Sequence, residues 1–312
     1  MDLAGGKPEG ESGRRRCDDG GVMADAVPVP APRVRGSGAI AAALLVLLAG
    51  CSALPPPQPG VSSPGRRFTT TVLLHGEALE LHLAAPRTPA VPGVLVLYAT
   101  GDGGWYPTAK DMFRQVADAG YFTAGFSSRS FLKLQRPRGA PLNAAQLAEE
   151  YQQILAQART ALGLDATTRT ILTGWSRGAA FAVLVASEPA AGNDVAGVVA
   201  IGLADGEDLN VDGAEDETDD GRAPAEKRRW PFQTYGRIAR LGPLPCAVIQ
   251  ATGDGYLPAA RARELFGPDT PRRRFYAIDA RNHRFSGGGA AFSAAWLDAV
   301  RWIAMPAGRG VQ

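Results

Sequence analysis

From Phe68 onward, short runs of apolar and β-branched residues alternate with longer segments whose apolar residues recur every three or four positions. Phe68–Leu74 and Leu79–Ala84 read as a hairpin around Gly76. Gly93–Ala99, Tyr121–Ser127, Arg169–Thr173, Val195–Leu203, Cys246–Thr252 and Arg274–Ile278 read as further strands, eight in all. Helical spacing falls on Thr108–Ala119, Asn143–Leu162, Arg177–Ser187, Pro258–Phe266 and Ala290–Met305. Strand and helix in alternation imply an α/β domain over residues 68–306, with an eight-stranded, mostly parallel sheet and helices on both faces. No internal repeat is visible.

The rest of the composition narrows the function classes. Of the 312 residues, 45% are hydrophobic and 21% charged, enough apolar surface for a sizeable core. The 33 basic and 31 acidic residues leave a net charge of +2, which offers no polycationic surface and argues against nucleic acid as a partner. Basic charge is carried mostly by arginine, yet no arginine cluster follows a helix face, so the abundance itself carries no function. Three scattered cysteines (Cys17, Cys51, Cys246) and three histidines do not make a zinc site or a disulfide framework, and no metal or other cofactor is called for. Cys246, inside the apolar run Pro245–Ile249, reads as a buried inert thiol rather than a nucleophile. His75 and His82, among alternating apolar residues of the hairpin with no carboxylate at ligand spacing, read as structural.

The N-terminal part has a different character. Ala39–Ala49 is an uninterrupted apolar run of 11 residues. A bilayer span needs about 20 residues, so the run suits the apolar region of a secretory signal, with Arg33 and Arg35 as its positive flank. Leu48-Ala49-Gly50-Cys51 follows directly and resembles the bacterial lipoprotein signal, in which the cysteine is acylated and becomes the mature N-terminus. Residues 1–50 are thus expected to be a signal region, with Met23 as an alternative start that gives it a short leader. Residues 51–67, rich in proline, are expected to tether a periplasm-facing domain to an envelope membrane through lipid on Cys51. Cleavage before Cys51 leaves Cys246 as the one thiol inside the folded domain, which suits an oxidising compartment.

The chemistry is carried by Gly174-Trp175-Ser176-Arg177-Gly178, placed between the strand Arg169–Thr173 and a helix that starts at Arg177. A Gly-x-Ser-x-Gly in that strand-turn-helix context is a nucleophile elbow. The glycines allow a sharp turn and close helix–strand packing, and the serine sits at a helix N-terminus where the Arg177 N–H and the helix dipole can stabilise an oxyanion. Serine needs a base, and the base needs an orienting anion. His283 is the only histidine downstream and follows the last strand. Asp254 follows the strand before it, and Asp205, after the strand Val195–Leu203, stays open as the rival acid.

The order Ser176, Asp254, His283, each just after a strand, resembles the α/β-hydrolase superfamily over residues 68–305. That resemblance implies a serine hydrolase. The run Thr100-Gly101-Asp102-Gly103-Gly104-Trp105 follows the third strand, where this fold supplies its second oxyanion N–H. It lacks the Gly-Lys-Ser/Thr of a phosphate-binding loop. Its Gly-Asp-Gly-Gly-Trp is similar to that of the bacterial VirJ/AcvB family of periplasmic hydrolases, which implies an ester such as an aminoacylated phospholipid or another small-molecule or lipid ester as substrate. Trp105 and Trp175 are expected either to line an acyl pocket or to pack in the core. Two alternatives stay open: a non-catalytic hydrolase-fold lipoprotein that binds an envelope partner, and a peptidase or thioesterase using the same three residues.

The stretch Asp205–Arg229 carries Glu215-Asp216-Glu217 and Asp219-Asp220 and then Lys227-Arg228-Arg229. It reads as an acidic insertion, either a solvated loop or a lid that steers cationic head groups.

Overall fold

A computed structural model describes residues 65–135, 142–209 and 231–305. The expected signal region, Cys51 and most of the tether lie outside the described residues, as does the acidic insertion from residue 210 onward.

The main sheet is built from β1 (Arg66–Leu74), β2 (Glu77–Ala85), β3 (Val94–Ala99), β4 (Phe122–Phe126), β5 (Arg169–Trp175), β6 (Val195–Ile201), β9 (Cys246–Ala251) and β10 (Arg273–Ile278). Their order is β1-β2-β4-β3-β5-β6-β9-β10. Only the β1–β2 and β2–β4 pairings are antiparallel. The eight expected strands are therefore present, with bounds shifted by at most two residues. β1 starts at Arg66, so the last residues given to the tether, Arg66 and Arg67, belong to the sheet. The turn between β1 and β2 is His75-Gly76, both at positive φ (54° and 83°), as a tight hairpin of twisted strands requires.

Among the described residues, seven α-helices connect and cover the sheet: α1 (Pro107–Asp118), α2 (Ser128–Gln135), α3 (Ala144–Leu162), α4 (Arg177–Ala186), α5 (Thr234–Ile238), α6 (Ala259–Phe266) and α7 (Gly289–Ala304). α1 and α7 pack on one face with Val96, Tyr98 and Ile171. The other helices contribute to the opposite core with Leu95, Leu97 and Leu172. β3, β6 and β9 are buried along their whole length because both faces are covered, whereas β1 at the edge alternates exposed and buried. The long helix α3 starts on a reciprocal cap, Asn143 with Gln146, and ends on Gly163 in the left-handed conformation. Trp296 Nε1 donates to the Met112 carbonyl at 3.2 Å and ties α7 to α1.

Two helices and a small ladder go beyond the expected elements. α2 and α5 are eight and five residues long, too short to show a clear helical period. β7 (Gly206–Glu207) pairs antiparallel with β8 (Phe232–Gln233), so the acidic insertion leaves and rejoins the domain through adjacent strands. Among the described residues, those of both cores lie between Val72 and Ala304, within the compact unit Pro55–Gln312.

Candidate active site

The parallel strands converge their C-terminal ends on one side of the sheet, and the residues singled out above meet there. β5 ends at Trp175 and α4 begins at Arg177, leaving Ser176 alone in the turn with φ 55° and ψ −120°. A serine held at positive φ is strained, and the strain is held in place by packing around it. A Cβ on Gly178 would fall onto the Ala99 carbonyl, and one on Gly174 onto the backbone of Gly178. Only glycine at both positions lets α4 lie this close to β3 and β5.

Asp254 follows β9 and His283 follows β10, and both are almost fully buried. His283 Nδ1 donates to Asp254 Oδ2 at 2.8 Å. Asp254 Oδ1 accepts the amide of Tyr256 at 2.8 Å, and Oδ2 also accepts Gln250 Nε2 at 2.9 Å. A carboxylate with that many donors is fixed in place and kept as an acceptor. The imidazole therefore carries its proton on Nδ1, which leaves Nε2 as the basic nitrogen. Nε2 is buried and has no hydrogen-bond partner among the described residues. His283 and Ser176 line the same cleft, about 230 Å³ in volume, together with Gly101, Asp102, Gly103, Tyr106, Trp175 and Arg284. Asp205 is exposed at the start of the insertion; it is Asp254 that holds the histidine.

Gly101 lies against the nucleophile, since a Cβ there would come within 3.1 Å of Ser176 Cβ. Gly104 and Trp105 do not line the cleft. Gly104 turns the chain at φ 64°, and the Trp105 ring goes to the other end of the turn, 4.3 Å from the His82 ring and edge-on to Phe113 at 5.7 Å. Core packing, one of the two expected roles, is what Trp105 does. Tyr106 takes the cleft position instead and packs on Trp175 at 5.0 Å. Trp175, 1% exposed, also sits 6.4 Å from His283.

Three further residues shape the site without having been singled out. Gln250 is a fully buried amide in the middle of β9 and bonds both Asp254 and the Leu257 carbonyl. Its signal in the sequence is one polar residue inside an apolar run, four places before the acid. Tyr256 packs its ring 4.7 Å from His283. Gly202 stands at φ 60° where a Cβ would come within 2.9 Å of the imidazole. The two other histidines do have carboxylate partners, contrary to the reading from the sequence: His75 Nε2 lies 2.8 Å from Glu150 Oε1 and His82 Nε2 lies 2.9 Å from Glu80 Oε1. The thiol of Cys246 is fully buried, and burial pushes it up to about 12, so it stays protonated and inert.

Arg177 does more than supply an amide. Its guanidinium, 4% exposed as a residue, lies 2.6 Å from Asp102 in the Gly-rich loop, 3.6 Å from Glu207 in β7 and 4.0 Å from Asp208. One cation thus joins the elbow, the Gly-rich loop and the root of the acidic insertion. Burial, followed by the charges of Asp102 and Asp208, pushes the Glu207 carboxyl up to about 8 against the opposing pull of Arg177. The folded protein therefore retains a proton on Glu207 that the unfolded chain has released. Stability should fall as pH rises from about 4.5 to about 8 and then level off. Denaturant melts across that range should show this decline in the parent and a flatter profile in Glu207→Gln; identical profiles would remove Glu207 as the source.

No family model matches the chain, and no curated protein matches it. Solved structures do. A protein of Klebsiella pneumoniae subsp. pneumoniae assigned as a dienelactone hydrolase superposes with a TM-score of 0.55 at 15% identity, covering 77% of this chain and 98% of its own. Est1E from Butyrivibrio proteoclasticus gives 0.50 at 13%, covering 76% and 99%. Dienelactone hydrolase from Anabaena variabilis gives 0.50 at 19%, covering 77% and 97%. At such identities the likeness speaks for the architecture, and together with the strand order it shows that this chain has the α/β-hydrolase fold.

Proposed function

We propose that the protein is a serine hydrolase that cleaves a small carboxylic ester through an acyl-enzyme. The observation that carries this is the 2.8 Å bond between His283 Nδ1 and buried Asp254, which leaves the basic Nε2 on the cleft that Ser176 lines.

Ser176 Oγ attacks the ester carbonyl while His283 Nε2 takes its proton, and Asp254 stabilises the imidazolium that forms. The negative charge that develops on the carbonyl oxygen meets the N-terminus of α4 and the amides of Arg177 and the Gly101–Gly103 loop. Collapse of the tetrahedral adduct breaks the bond to the alkoxy group, which leaves as the alcohol with the proton from His283. Water then repeats the sequence on the acyl-enzyme, its proton going to His283, and releases the acid and free Ser176.

A cleft of about 230 Å³ walled by Trp175 and Tyr106 suits a short acyl group, an aminoacyl group among them, on a small water-soluble ester. The apolar run Ala39–Ala49 followed by Leu48–Cys51 supports a lipid-anchored, envelope-facing form of the enzyme, acylated at Cys51. Turnover of p-nitrophenyl esters of increasing acyl length tests the reaction. Short esters should be hydrolysed, and Ser176→Ala should fall to the uncatalysed background with its melting temperature retained; residual turnover in that variant would place the chemistry elsewhere. The intact mass of the protein recovered from membranes reads whether Cys51 carries lipid.

A further inference from the structure

The end of the sheet opposite the triad has its own chemistry. Strand pairing runs through Arg66–Ala85, Ala84–Thr123, Leu95–Phe122, Val94–Arg169, Thr170–Val195, Val198–Cys246 and Cys246–Arg273, a continuous line along the starts of the parallel strands. Along that line lie Arg66, Arg87, Arg169, Arg272 and Arg273, with Arg301 in the last turn of α7 beside them. None of these six has a carboxylate partner among the described residues. The acids at this end are already engaged: Asp118 by Arg67, Asp194 by Arg159 and Asp298 by Arg274 and Tyr276, while Asp165 accepts from Thr167 and Thr168. Positive charge is therefore left over here. At the catalytic end, by contrast, Asp102, Glu207 and Asp208 gather around Arg177, and both roots of the acidic insertion lie there. The net charge of +2 conceals this polarity.

The arginines surround two open grooves of about 400 and 460 Å³. The larger is lined by Arg169, Arg272, Arg274 and Arg301 together with Trp302 and Met305. Arg169 is held by the Ala304 carbonyl at 3.1 Å and is positioned before any ligand arrives, while Arg274 lies over the Trp302 ring at 4.7 Å and stays paired with Asp298, which also lines this groove. Met305 is 57% exposed beside them. Guanidinium groups next to an exposed thioether and an indole match a phosphate layer bordering hydrocarbon.

We propose that this strand-start end of the domain is a docking face for the phosphate groups of an anionic lipid bilayer. The face gathers charge that no carboxylate among the described residues neutralises, and attraction to an anionic surface accumulates with each arginine brought near it. With this face on the bilayer the cleft opens away from it, and substrate arrives from the aqueous side. None of this requires the triad to work, or Cys51 to be acylated.

The full chain carrying Cys51→Ser, which cannot be lipidated there, is the protein to test, read as binding to anionic vesicles in excess of binding to neutral ones. Flotation with vesicles of phosphatidylglycerol and phosphatidylcholine should show binding that falls in pure phosphatidylcholine and weakens as salt rises above about 0.15 M. Neutralising the exposed pair in Arg272→Gln/Arg301→Gln should lower the partition coefficient about 25-fold, roughly fivefold per arginine. Arg66→Gln/Arg87→Gln should act similarly. Ester turnover should stay unchanged in both pairs, and Ser176→Ala should bind vesicles like the parent, which separates this face from the catalytic reading. Equal binding to neutral and anionic vesicles, undiminished binding by the double variants, or capture by soluble heparin without any binding to vesicles would each overturn the proposal.

Discussion

Asp254→Asn is expected to lower kcat by about 10³ to 10⁴ with little change in KM, and His283→Ala by a similar factor. The reason lies in the hydrogen bonds around the acid. Asp254 accepts from Tyr256, Gln250 and His283 at once, and an asparagine must turn its amide nitrogen toward one of them. The His283 side is the one it can reach as a donor, and a donor there forces the proton onto Nε2, where it blocks uptake of the Ser176 proton. Because the pair is buried, the variant should keep its fold while losing its chemistry. Steady-state kinetics on a short ester decides. Near-normal turnover in Asp254→Asn together with an inactive Asp205→Asn would move the acid role to Asp205, against the contact that the structure places at Asp254.

The second large effect concerns Arg177. Changing it to methionine keeps the backbone amide and most of the side-chain volume but removes the cation that lies among Asp102, Glu207 and Asp208. Breaking a buried ion-pair cluster by removing one partner costs about 3–5 kcal/mol. For a domain of this size that corresponds to a melting temperature lower by roughly 6–20 °C at neutral pH. Thermal unfolding of the variant against the parent measures this. A variant that melts with the parent would mean that the guanidinium does not hold the loop, the elbow and the insertion together.

Much of the fold was legible because its strands are apolar runs bounded by turn residues, and because strand and helix alternate over most of the chain from β3 to α7. β7 and β8 were not legible: two residues apiece give no period, and their pairing joins Glu207 with Phe232 and Gly206 with Gln233, 25 and 27 positions apart. The three residues of the triad could be read from their order after strands, while the 2.8 Å contact needed the sheet to bring β9 beside β10. Trp105 shows where adjacency misleads. It follows the Gly-rich loop directly, yet the left-handed turn at Gly104 sends its ring toward His82 and Gly125 rather than into the cleft. Glu80 beside His82 was within reach of the sequence, since residues two apart in a strand share a face. Glu150 beside His75 was not, being 75 positions away. The arginines at the strand starts make the same point from the other side: no helix face groups them, and only the parallel register of the sheet collects them at one end.

Trapping with a fluorophosphonate reports most directly on the proposed chemistry, because the reagent phosphonylates a serine only where a base and an oxyanion site activate it. The expected result is a single adduct per chain, mapped by peptide mass to Ser176 and absent from Ser176→Ala and His283→Ala. An unlabelled wild-type protein, or an adduct that persists when Ser176 is gone, would contradict the assignment of this cleft as a serine hydrolase site.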